Sequence, residues 1–222
     1  MNIDLKVRSS WPLLVAGVLG AVLADSPAFA ATFSSSIGWF RFSDFSHAPQ
    51  GISTFSDTDV VSVIQRGNVE TAADADAVFS LDPSPSAFNF SSSRASGFGR
   101  QYFGSSYSTS QVEGYDFRVG KHETFSFDFS SALNLGAFSS RPQQEKASAG
   151  GTAFFQLFDT TGRNKWNLLD TFSIAGLLTT GSGDFLEYTE DDNITFKPNG
   201  LSIISDFGDD NNNEVGRASI KG

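Results

Sequence analysis

The chain of 222 residues contains no cysteine, only two histidines and a single methionine. Without cysteine it forms neither disulfides nor thiolate metal sites, so its core alone must hold the fold. His47 and His122 lie far apart in separate turn-like segments, and each reads as a surface residue. Positive charge is also scarce: 15 Lys and Arg against 25 Asp and Glu leave a net charge of −10. Such a surface repels nucleic acid and anionic lipid, so nucleic acid is not an expected partner. Catalytic signatures are missing too, with no Gly-x-Ser-x-Gly, no His-Glu-x-x-His and no phosphate-cradling glycine loop. Asp128, Asp159, Asp170 and Glu187 could in principle supply the two acids of a glycosidase, but acids alternating with core residues ordinarily line a wet sheet face. The expectation is a protein that is not an enzyme.

Long apolar runs are rare, and the one that stands out is Pro12 to Ala24. Lys6 and Arg8 precede it and Ala28-Phe29-Ala30 follows, the order of an export signal cut ahead of Ala31. The run is shorter than the roughly 20 residues a bilayer-spanning helix needs, so no stable membrane anchor is expected after cleavage. The anticipated location is secreted, periplasmic or cell-surface. The cut removes Lys6 and Arg8 together with Asp4 and Asp25, leaving the net charge unchanged. Residues 31–222 are then expected to form a single domain of sandwich size.

Phenylalanine is abundant, at 23 residues, and its spacing carries the fold reading. Phe125, Phe127 and Phe129 alternate with Ser126 and Asp128, so in a strand the three rings share one side and the polar groups the other. Burying such a ring is worth roughly 1.5 to 3 kcal/mol, enough to hold a strand against a second layer. Tyr115, Phe117 and Val119 extend the same odd-numbered face, with a turn at Gly120 to Glu123. Val60 to Ile64 is β-branched and strand-like, closing at a turn over Arg66-Gly67-Asn68, and Thr71 to Ala77 could make one helical turn. Pro83 and Pro85 break the chain after Leu81. Ser86 to Tyr107 reads as a pair of strands with a long glycine-rich connection, or as a loop presenting rings to a ligand. Arg141 to Gly151 reads as a loop, and Thr152 to Asp159 as a strand covered on both faces or at a sandwich centre. Helical and strand spacing compete over Trp166 to Leu178, where the strand formers favour strand. Short strands over Phe185–Tyr188, Ile194–Phe196 and Leu201–Ile204 follow. The sum is an all-β chain, an antiparallel jelly-roll-like β-sandwich preceded by the signal peptide of residues 1–30.

From Phe117 onward the chain resembles a group of exported proteins associated with cyanobacteria and the PEP-CTERM sorting system. The likeness rests on Glu123-Thr124-Phe125-Ser126-Phe127-Asp128-Phe129, Phe155-Gln156-Leu157-Phe158-Asp159, Leu168-Leu169-Asp170-Thr171-Phe172, Gly183-Asp184-Phe185-Leu186 and Asn193-Ile194-Thr195. It implies a β-sandwich sent to the envelope or extracellular matrix and carries over no catalytic residue. Members of that group end in a Pro-Glu-Pro signal, an apolar helix and a basic tail, whereas this sequence stops at Ala218-Ser219-Ile220-Lys221-Gly222. The ending reads as an interrupted strand that would leave an unpaired edge, as in a truncated C-terminus.

Two kinds of site are expected. Trp39, Tyr102, Tyr107 or Trp166 could stack on sugar rings, with Arg100 and Gln101 supplying polar groups. Asp206, Asp209, Asp210, Asn212 and Glu214 concentrate the oxygens that calcium seeks, although their spacing is also that of a solvated loop. No other cofactor is implied. The functional expectation is a non-catalytic structural or adhesive component of the envelope or matrix, meeting polysaccharide or matrix proteins, with a carbohydrate-binding module as the alternative.

Overall fold

Alternation of rings with small polar residues dictates extended backbone nearly everywhere. The computed structural model describes residues 3–7, 30–81, 84–141, 143–162, 165–190, 201–207 and 213–221, and among them it contains ten strands and no helix. They are β1 Ile3–Val7, β2 Ala30–Ser43, β3 Gly51–Ser80, β4 Ser86–Val119, β5 Asp128–Ser139, β6 Ser148–Gly162, β7 Lys165–Thr179, β8 Phe185–Glu190, β9 Leu201–Phe207 and β10 Asn213–Lys221. All pairings are antiparallel, along the path β8-β7-β6-β1-β4-β2-β5-β10-β9, with β3 outside β4.

The path rolls into two facing layers because β3 and β4, 30 and 34 residues long, bend together. Their register shifts at Ile64/Arg66 and Arg66/Gly67, and the facing Gly99 has φ of 133°, a conformation that side chains other than glycine rarely adopt. Beyond the bend the ribbon doubles back, so that a Cβ on Gly104 would come within 2.6 Å of Val69 Cγ1. Before it, β4 pairs with β2 through Ala87–Gly99; after it, Tyr115–Val119 pairs with β1.

Rings from both layers meet in the middle. Phe155 of β6 meets Phe40 and Phe42 of β2 edge-on, with centroids 5.6 and 5.7 Å apart, and Phe172 of β7 lies 5.2 Å from Phe129 of β5. Such geometries add roughly 0.5 to 1.5 kcal/mol per pair beyond burial. Leu133 and Leu135 of β5 reach across to the backbone of Gly151 and Gly176, where a Cβ would lie only 2.9 and 2.8 Å from their methyl carbons. Ser131, fully buried, donates to the Trp39 carbonyl at 3.0 Å, leaving no unpaired hydroxyl there.

Several expectations change. Phe125 and Phe127 pack against the core as anticipated, but they precede β5 and reach it from an extended segment without ladder pairs. Thr71–Ala77 is strand: its residues pair with Asn89–Ala95, and Ala77 and Phe79 pack on the core, so pairing overrides the weak β-propensity of alanine and aspartate. The turn expected at Arg66-Gly67-Asn68 is a bulge inside one strand, and Ser86 to Tyr107 is one strand with neither connection nor loop. In Thr152–Asp159, Ala153, Phe155 and Leu157 are buried on the core face, while on the other face Phe154, Gln156 and Phe158 are half-buried and Thr152 is exposed. The expected loop at Arg141–Gly151 gives way to β6 at Ser148. Trp166–Leu178 is strand as expected, within β7. Val215–Ile220 is no unpaired edge, since β10 is paired by β5 on one side and β9 on the other. Ile3–Val7, at the start of the expected leader, forms β1 between β4 and β6, while Pro12–Ala24 and Ile194–Phe196 lie outside the described residues.

Candidate functional site

The register of β2 and β4 builds an aromatic surface on the outside of one layer. In β2 the even residues Phe40 and Phe42 point to the core, and in β4 the odd residues Ala87 and Ala95 do so. Their neighbours therefore face outward. Trp39 stands directly opposite Phe90, and Arg41 opposite Phe88. On the far side of β4, Asp76 stands opposite Phe90 and Val78 opposite Phe88, while β5 places Ala132 beside Trp39 and Asn134 beside Ile37. Directly opposed residues carry Cβ atoms about 4.5 to 5.5 Å apart, so Trp39, Phe88 and Phe90 form one continuous patch framed by Arg41 and Asp76. Phe88 is 38% exposed and Val78 47%. An open depression of about 260 Å³, lined by Arg41, Val78, Ser80, Ser86, Ala87 and Phe88, adjoins the patch. Flat rings bordered by a guanidinium and a carboxylate suit stacking on a ring-shaped ligand with hydroxyls at its rim.

Only Trp39 of the six expected ligand-binding residues lies there. Arg100, Gln101 and Tyr102 follow the bend at Gly99, in the other layer, with Gln101 opposite Arg66 and Tyr102 opposite Ile64. Tyr107 is exposed farther along the same strand, opposite Asp59. Trp166 opens β7, its ring 5.7 Å from that of Phe158. The expected set is not one site, because the bend separates Trp39 from Tyr107 and because β7 belongs to the layer across the core. Sequence reasoning missed Phe88, Phe90, Arg41 and Asp76. The two-residue spacing of Phe88 and Phe90 marks a shared face, and only register shows that this face is the outer one.

At the two ends of the acidic segment, Phe207 stands opposite Glu214 and Asp206 opposite Val215 along the backbone. Asp209, Asp210 and Asn212 lie outside the described residues. Among the described residues no group of three or more metal-ligating side chains occurs. The four carboxylates considered for hydrolysis fall on four strands, β5 to β8. Asp159 Oδ1 accepts hydrogen bonds from Thr161 N at 2.9 Å and Thr161 Oγ1 at 2.6 Å, and buried Asp170 accepts from Thr171 N at 2.7 Å, so both serve local backbone geometry.

Glu123 has a structural task. Its Oε2 accepts the Gly120 N–H at 2.6 Å, closing the turn, and lies 3.4 Å from His47 Nε2. The Gly120 amide first, then His47, hold its carboxyl below the usual range. Ser46 and Ser126 add two hydrogen bonds of 2.9 Å, one from Ser46 N to the Ser126 carbonyl and one from Ser126 N to the Ser46 hydroxyl Oγ. His47 is thus half-buried and joins two loops, in contrast to the surface position expected.

No family model, no curated protein and no solved structure matches the chain.

Proposed function

We propose that this chain is a non-catalytic exported structural or adhesive component of the cell envelope or extracellular matrix, built as a jelly-roll-like sandwich. The observation that carries the reading is the ribbon of β3 and β4 between Ser53 and Glu113. Val60 and Ile64 on one face, and Phe55, Val61 and Val63 on the other, are all roughly half exposed, so the ribbon offers apolar surface on both sides. A leader ending at Ala30 would deliver that surface outside the cell, where polysaccharide or matrix proteins are the partners. Expression of the full chain in a host with general secretion tests this. The expected product begins at Ala31 and is recovered from the envelope or medium; a cytoplasmic product that retains Met1 would overturn the reading.

A second reading, a carbohydrate-binding module, is favoured by the Trp39 and Phe90 pair. Polysaccharide titration followed by tryptophan fluorescence tests it. Quenching should disappear in Trp39→Ala and persist in Trp166→Ala; the reverse result would remove the site. No cofactor is part of either reading. Calcium held by Asp206, Asp209, Asp210, Asn212 and Glu214 is a separate proposal, and a melting curve indifferent to both calcium and chelator would end it.

A further inference from the structure

Among the described residues the outer edge of β3 is long and has no neighbouring strand. Among the described residues β3 pairs with β4 alone, and between Gln101 and Glu113 β4 has no other partner, so this part of the ladder is two strands wide. A two-stranded ribbon is marginal in water, and three or more strands are needed for independent stability. Exposed edges usually carry lysine, proline or an inward-pointing charge that blocks pairing. From Gly51 to Ser80 there is neither lysine nor proline, and Val60-Val61-Ser62-Val63-Ile64 contains no charge at all. These aliphatic side chains are 48%, 47%, 54% and 48% exposed in chain order, so neither face of the ribbon shelters them.

We propose that two copies of the chain join edge to edge through β3, antiparallel, about a two-fold axis passing through Ser62. This deepens the adhesive reading above, because homotypic pairing is a means by which such a component joins its neighbours, yet it does not depend on export.

The occupant is argued from the segment itself. An antiparallel edge pairing of identical strands places the axis normal to the sheet, so each residue meets one on the same face, and the contact is self-complementary. Val60-Val61-Ser62-Val63-Ile64 has the same β-branched character read in either direction. With Ser62 on the axis, Val61 faces Val63 of the second copy and Val60 faces Ile64 of the second copy, β-branched against β-branched on both faces. Charge agrees with this register. Val60–Ile64 carries no charge, and at its ends Asp59 comes beside the uncharged Gln65 of the second copy, so no acid faces another although the chain carries −10 overall. Moving the axis to Val61 would set Asp59 against Val63, and moving it to Val63 would set Arg66 against Val60. The bulge and bend at Gln65 to Gly67 limit the flat ladder to Val60–Ile64, about five residues a side and well under what a stable interface uses, so the pairing is reversible and concentration-dependent. Its gain is a four-stranded ladder in place of a two-stranded one.

The absence of cysteine makes the test direct. In the full chain, Ser62→Cys places two thiols opposite each other on the axis, within the range a disulfide tolerates, whereas Thr54→Cys lies outside the paired stretch and has no cysteine beside it. Mild oxidation should convert Ser62→Cys to a covalent dimer and leave Thr54→Cys monomeric. Sedimentation of the unmodified chain should show a dimer that grows with concentration and is lost in the double variant Val61→Lys, Val63→Lys, whose circular dichroism reports whether it is folded. Equal cross-linking of the two cysteine variants, or an unmodified chain that stays monomeric at the highest attainable concentration, would overturn the proposal. A chain that dimerises through Ser62 yet remains cytoplasmic would defeat the export reading and leave this one standing.

Discussion

Gly67 and Gly99 face each other across the β3–β4 ladder where the ribbon leaves one layer for the other. Neither has room for a side chain: a Cβ on Gly99 would fall against the Gly67 Cα and 2.7 Å from the Arg66 carbonyl oxygen. Because the obstacles are backbone, they cannot swing aside, and the φ of 133° at Gly99 adds strain for any other residue. Gly99→Ala is therefore expected to cost more than about 2 kcal/mol in a denaturant titration. Gly183, which has open space around its Cβ position, provides a control for positive φ without crowding.

Phe127 and Asp128 test the assignment of faces. The Phe127 ring lies within 5.6 to 6.0 Å of those of Phe125, Phe42, Phe155 and Phe45, whereas Asp128 is exposed. Phe127→Asp should strand a charge among these rings and abolish soluble expression. Asp128→Ser should change stability by less than about 0.5 kcal/mol.

Acid should loosen the turn that Glu123 closes. Its carboxyl is held below its ordinary value, so its contribution is present above the unfolded-state pKa and fades as pH falls through the lower folded-state value. The Glu123 side chain is 56% exposed and solvent screens the effect, so the readout is local. By NMR, its titration midpoint should lie below that of glutamate in an unfolded peptide, and the Gly120 amide should shift over the same pH range. Glu123→Gln should abolish that linked shift.

Removal of residues 1–30 should expose two ladder edges. β1 covers Tyr115–Val119 of β4 and Leu157–Asp159 of β6. Hydrogen exchange at the amides of both segments should be faster in a chain beginning at Ala31 than in the full chain, while β2 and β5 exchange alike in both. Identical exchange at Leu157–Asp159 would mean that β1 does not protect that edge.

Much of the fold was readable because strand periodicity is a local property. The alternation of Phe125, Phe127 and Phe129 marked a ring-bearing face, and the odd-numbered face through Phe117 and Val119 was equally plain; Phe117, Val119 and Phe129 are buried, and Phe125 and Phe127 are partly buried against the core. The length of β3 and β4 was not readable. Glycines and alanines at Gly67, Ala72 to Ala77, Gly97 and Gly99 weaken any local signal, and these residues are extended because of the strand lying beside them. The aromatic surface escaped for a related reason. Alternation says that Phe88 and Phe90 share a side but is silent on which side turns inward, and only pairing of Phe90 with Trp39 identifies it as the outer one.

The sequence alone determined the class of structure and its chemistry: extended chain from period-two rings, no disulfide without cysteine, an acidic surface from the excess of Asp and Glu. These depend on residue identity and nearest neighbours, which do not change with folding. Tertiary structure decided the rest, namely where the long ribbon bends, which aromatic residues end on the outside and which edge stays open. Those outcomes depend on hydrogen-bond register between strands tens of residues apart, and a one-residue slip would reverse every face.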